Sequence, residues 1–137
     1  MGFVVVAVIA VVFVWNSSGG NGVDPARCLS VPGWLLAELE AGLTVQGIGT
    51  LGDASAVLSE DVDDLYFIAA QIGGPGTDDS VGVWATNRLG SEPEGAVVLA
   101  VNSLAQEFSV YPDAGSADSS ITMSDDGARE ATECLEL

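Results

Sequence analysis

Asp63-Asp64-Leu65-Tyr66-Phe67-Ile68-Ala69-Ala70-Gln71-Ile72-Gly73-Gly74-Pro75-Gly76 is the stretch on which the fold turns. Its middle, Leu65 to Ile72, is almost continuously apolar, as a strand covered on both faces must be. Two aspartates bound it on one side and a glycine-proline cluster on the other. The run therefore predicts a central strand. Downstream, Val81 to Asn87 alternates, with Val81, Val83 and Ala85 on one face and Trp84 and Thr86 on the other. Ala96 to Val101 follows after a turn at Ser91-Glu92-Pro93-Glu94-Gly95, and the three runs make an antiparallel meander. A fourth strand is expected around Ala54 to Leu58 and another around Glu107 to Tyr111.

Helical patterns flank this meander. Pro32 to Leu43 places Leu35, Leu36, Leu39 and Leu43 at helical spacing, with Ser30 available as a cap and Gly42 near the end. Ser124 to Leu135 opens on a capping serine, puts Asp125 and Asp126 at the positive end of a helix dipole, and offers Ala128, Ala131 and Leu135 as a narrow packing face. Strands between two helices predict an α+β fold: a two-layer domain with a meander of three to five strands packed against an N-terminal and a C-terminal helix.

Ahead of this body the chain changes solvent. Phe3 to Trp15 is thirteen consecutive apolar residues, and the first charge is Asp24. As a helix that block rises about 20 Å, short of the ~30 Å hydrocarbon layer. It also fits the apolar core of a secretory signal, although no basic segment precedes it and the Ser17, Ser18, Gly19 region is a mediocre cleavage site. Anchor and removed signal both stay open. No lipid-attachment pattern surrounds Cys28, and Trp15 suits a membrane interface. The expected organisation is an apolar segment at 1–15, a polar linker at 16–27 and a single extracytoplasmic domain at 28–137. An inside-negative potential favours acidic segments on the outer side, so the body is expected there.

The 137 residues carry a net charge of −17, with three arginines, no lysine and no histidine. Arg27, Arg88 and Arg129 are too scattered to form a basic patch, which argues against nucleic acid or anionic lipid partners. Catalysis also lacks its usual instruments, since neither histidine nor lysine is available as a base or nucleophile. A carboxylate-dependent enzyme remains as an alternative. Cys28 and Cys134 lie at the two ends of the body, and in an exported protein such a pair reads as a disulfide joining them. Two buried thiols or a metal pair are the other readings, the latter without further soft ligands to complete it.

Smaller constellations are weaker. Gly47, Gly49 and Gly52 match G-x-G-x-x-G, but no good helix pattern follows, so a glycine-rich bend is the preferred reading. Asp61, Asp63 and Asp64 with Glu60, the pair Asp78 and Asp79, and the span from Asp113 to Asp118 offer hard oxygens to calcium without the spacing of a known calcium loop. Solvated turns are expected there, with no metal and no cofactor. Trp34, Trp84, Tyr66 and Tyr111 are the large groups able to line a surface. Trp84, on a face with Gly82 and Thr86 that is expected to be the less covered side, forms with Thr86 and Asn87 the candidate binding surface.

Gly82-Val83-Trp84-Ala85-Thr86-Asn87, Ala105-Gln106-Glu107-Phe108-Ser109 and Ser124-Asp125-Asp126-Gly127-Ala128 together resemble a loose group of small exported or membrane-anchored proteins of actinobacteria and their phages. The resemblance spans most of the body and implies location and a single domain, with no activity attached. The functional expectation is a noncatalytic extracytoplasmic domain on a membrane tether that binds a protein or small ligand at the cell surface. The alternatives are a structural or assembly subunit, pilin-like through its Gly2-Phe3 junction or otherwise, and the small carboxylate enzyme.

Overall fold

A computed structural model of the chain describes residues 23–44, 49–74, 80–90, 95–115 and 121–137. The apolar segment at 1–15, most of the linker, Gly47, the pair Asp78 and Asp79, the 91–94 part of the expected turn, and Asp118 lie outside the described residues. Four strands form one sheet: β1 (Thr50–Leu58), β2 (Tyr66–Gly73), β3 (Ser80–Thr86) and β4 (Val98–Ala100). They lie in sequence order and every neighbouring pair is antiparallel, so the meander is as expected. Leu65–Ile72 supplies β2, which has a partner on each side. β1 is longer than its pattern suggested because its register slips between Leu51 and Ala54, a bulge that lets a glycine-containing segment continue the ladder.

Helices pack on this sheet to give the α+β fold, and they do so on both faces. One face carries α1 (Gly33–Ala41) and α2 (Ser103–Phe108). There Leu35 and Leu39 meet Ala56, Ile68, Ala70, Ile72, Trp84, Val98, Ala100 and Ala105, with Trp34, Phe108 and Tyr111 at the margin. Burying each α1 leucine stabilises the fold by roughly 1.5–3 kcal/mol relative to exposure. The opposite face carries α3 (Ala128–Cys134), whose Ala128 and Ala131 lie on Val57, Phe67, Ala69, Val83 and Ala85. The alternation of β3 explains the division, since Val81, Val83 and Ala85 point to α3 while Trp84 points to α1. Among the described residues no helix is long and apolar enough to cross a membrane.

Three expectations are corrected. The segment from Glu107 to Tyr111 is not a strand: α2 occupies Ser103–Phe108, and only Ser109 makes an isolated bridge, to Leu43. The reason is Asn102. Its Oδ1 accepts from Ala105 N (2.9 Å), capping α2, and from Val83 N (3.0 Å), while its Nδ2 donates to Val81 O (2.9 Å). One side chain thus starts a helix and stands in for a strand along β3. Next, α1 starts at Gly33 with Pro32 as its N-cap and no side-chain cap bond, so Ser30 does not cap it. Finally, α3 begins at Ala128, not after Ser124. Asp125 instead accepts from Thr122 N (2.8 Å), and Gly127, at φ 105° and with space for a Cβ denied by Phe67 at 2.9 Å, is the N-cap. Glu130 accepts from Gly127 N at 2.8 Å.

The two edges of the sheet are covered. Along β1, Leu29 N donates to Ala56 O (2.7 Å), Ala56 N returns the bond to Leu29 O (3.0 Å), and Leu51 N donates to Glu40 Oε2 (2.8 Å). Along β4, Ala100 N donates to Pro112 O (2.7 Å) and Ala114 N donates to Ala100 O (2.8 Å).

The stretch from Val23 to Leu29 forms a strap over the β1 side. Asp24 caps a short 3-10 turn, Pro25–Arg27, by accepting from Ala26 N (3.0 Å). Arg27 then grips Asp126 with two bonds, NH1 to Oδ1 at 3.3 Å and NH2 to Oδ2 at 2.7 Å, and reaches Leu58 O at 3.0 Å. Cys28 and Cys134 are joined in a disulfide with Cα atoms 5.8 Å apart. Val23 is buried, so this last part of the expected linker is fastened to the domain.

Candidate functional site

Of the three residues expected to form a binding surface, two are inside. Trp84 has no exposed area and Thr86 is 2% exposed. The indole lies along its own strand over Gly82, where a Cβ would sit 2.5 Å from the ring. Its Nε1 donates to Ser109 Oγ (3.1 Å), and Ser109 Oγ donates onward to Ala105 O. The buried polar tip is therefore satisfied, as a core tryptophan requires. α1 and α2 cover the face on which Trp84 lies, so that face is closed and not the less covered side of the sheet. Thr86 Oγ1 is paired with the backbone of Arg88, accepting from its N and donating to its O at 3.4 Å each.

Asn87 is exposed and does reach a concavity. A groove of about 410 Å³ lies at the end of the sheet where β2 starts and β3 stops, between Asp64, Tyr66, Asn87, Arg88, Leu89 and Gly90. Its β3–β4 wall is pinned by side chains. Asn87 Nδ2 donates to Gly95 O (3.0 Å), Val97 N donates to Asn87 Oδ1 (2.7 Å), and Trp34 Nε1 donates to Gly90 O (2.7 Å). On the other wall Asp64 turns the chain into β2 at φ 56°, a left-handed position that aspartate tolerates better than most residues. Tyr66, one of the large groups expected to line a surface, and Arg88, which carried no such expectation, also line the groove. The available signal was the pair of turns, at 61–64 and 87–90, that antiparallel pairing of β2 with β3 brings to one end.

A second concavity, about 310 Å³, sits at the other end of the sheet between Thr50, Gln71 and Ser80 over Gly52 and Gly73. Gly52 of the glycine motif lines it. Gly52 lies within β1, so a strand and not a phosphate-binding helix follows Gly49. That arrangement lacks the helix N-terminus on which a dinucleotide site depends.

Asp61, Asp63 and Asp64 are exposed in the β1–β2 turn, which Ser59 organises by accepting from Asp61 N (3.2 Å) and Val62 N (3.3 Å). Among the described residues no group of three or more acidic, histidine or cysteine side chains is placed to hold a metal ion. Nothing positive among them points to catalysis either.

The charged groups with displaced titration are structural. The Arg27 hydrogen bond, then the Glu60 N–H donated to Asp126 Oδ2 (2.8 Å), hold the Asp126 carboxyl below the ordinary aspartate value, and Arg27 is correspondingly raised by Asp126. Burial, followed by the nearby Glu38 charge, pushes the Tyr111 phenol up to about 12, with its hydroxyl donating to Glu38 O. In comparison with known proteins, the chain matches no family model, no curated protein and no solved structure.

Proposed function

We propose that the chain is a noncatalytic extracytoplasmic domain, tethered to the membrane by its N-terminal apolar segment, that binds a protein or small ligand at the cell surface. The observation that carries this reading is the Cys28–Cys134 bond, which closes the body on itself. Such bonds persist in oxidising compartments and are rare in the cytosol. The uncharged block before Asp24 and the acidic body after it support the same location. A groove with fixed walls supports binding over a purely mechanical role.

Cell fractionation combined with thiol alkylation tests this reading. The expected outcome is recovery with the membrane and no alkylation of either cysteine without prior reduction; recovery in the cytosol with both thiols reactive would overturn it. Crosslinking in intact cells separates binding from assembly. Because there is no lysine, the reagent must couple carboxylates. One foreign partner supports the binding reading, and a ladder of self-linked species supports an assembly subunit instead.

A further inference from the structure

We propose that the groove between Asp64 and Arg88 is a binding site for a small zwitterion, a molecule carrying a carboxylate and an ammonium group such as a free α-amino acid. The groove is lined by one basic and one acidic residue, Arg88 and Asp64, together with Tyr66. The two charges are not used on each other, since the ion pair among the described residues is Arg27 with Asp126. Arg88 thus brings a fork of donors, and Asp64 two acceptor oxygens, to the lining of one concavity.

The charge of the whole molecule then selects among ligands. A body at −17 repels a small anion from the only cation in the groove, while it attracts a small cation to carboxylates everywhere on the surface. A zwitterion has no net charge to be repelled and gains from both walls together. Arg88 suits its carboxylate by bidentate geometry, and Asp64 suits its ammonium. The pinned β3–β4 wall fixes Arg88's backbone before a ligand arrives, which lowers the ordering cost of binding. The volume is ample for a molecule of this size.

This inference deepens the small-ligand reading and does not depend on the tether, so fractionation can fail without touching it. Calorimetry on the full chain in detergent micelles would compare L-alanine with N-acetyl-L-alanine, which keeps only the carboxylate, and L-alaninamide, which keeps only the ammonium. Saturable binding of L-alanine is expected, with either half-ligand weaker on the order of tenfold or more. Arg88→Gln and Asp64→Asn should each weaken L-alanine by a similar factor, while Arg129→Gln leaves it unchanged; asparagine keeps the left-handed turn available. No saturable binding of L-alanine, a half-ligand binding as well as the whole, or undiminished binding in both variants would each overturn the proposal. The half-ligand comparison uses the unsubstituted chain, so it decides the question even where a variant fails to fold.

Discussion

The two faces of the sheet are held by different means. On the α1 face the core is bulky, with Trp84, Leu35, Leu39, Ile68 and Ile72 filling the space between helix and strands. On the α3 face both buried residues of the helix are small, Ala128 and Ala131, which share a cluster with Val57, Phe67, Ala69, Val83 and Ala85. Small side chains bring a helix close but remove less apolar area from water, and burial scales with area. The α3 face compensates with links that do not depend on area: the disulfide at one end of the helix and the Arg27–Asp126 pair before the other. A thin interface is made durable by closing the chain around it.

Removing the disulfide should therefore have the largest effect and should act on one face. The bond closes a span of 106 residues, for which the chain-entropy estimate is about 4–5 kcal/mol. Urea unfolding with and without reductant measures the loss. Native-state amide exchange should quicken at Ala131 more than at Leu39, and equal quickening at both would break the contrast drawn here.

Trp84→Ala attacks the other face. It leaves a large cavity and strips Ser109 of a partner, and a cost of about 3–5 kcal/mol is expected from large-to-small core changes. Denaturant melts would read it; a loss under about 1 kcal/mol would mean that bulk is not what holds α1. Asn102→Ala comes next at roughly 2–3 kcal/mol, combining a lost helix cap with strand groups of Val81 and Val83 left without their partner. Circular dichroism melts of Asn102→Asp and Asn102→Ala together would separate the cap from the amide donor, since aspartate can still cap.

The smallest effects should divide by pH. Asp126 titrates below the ordinary aspartate value in the folded chain, so its contribution is full above that value and is lost as pH falls through the depressed one. Tyr111 titrates at about 12 against an ordinary 10.0, so its contribution is full below pH 10 and is lost as pH rises toward 12. Acid should loosen the strap beside α3 and alkali the margin of the α1 face. Melting temperatures of Asp126→Asn and Tyr111→Phe across pH would show it: the first variant should lose the acid-side slope and the second the alkaline one.

Periodicity along the chain sufficed for a good deal. The central strand, its antiparallel neighbours, the α1 leucines and the pairing of Cys28 with Cys134 follow from local pattern and from the placement of two cysteines. These are short-range matters, set by which side chains alternate or recur along a segment. The strand expected at Glu107–Tyr111 failed because an apolar, aromatic run reads alike in either conformation until a cap is made, and Asn102 makes that cap while bonding to a strand about twenty residues earlier.

The candidate site was legible at Asn87 and, as a large group able to line a surface, at Tyr66. A period of two states that Trp84 and Thr86 share a face, but it does not state whether that face meets water, and here two helices cover it. Asp64 and Arg88 are far apart in sequence and become neighbours through the β2–β3 register. Which face is closed and which turns meet are properties of packing between distant segments. No local pattern carries them, because the free energy that settles them arises only when those segments exclude water from each other.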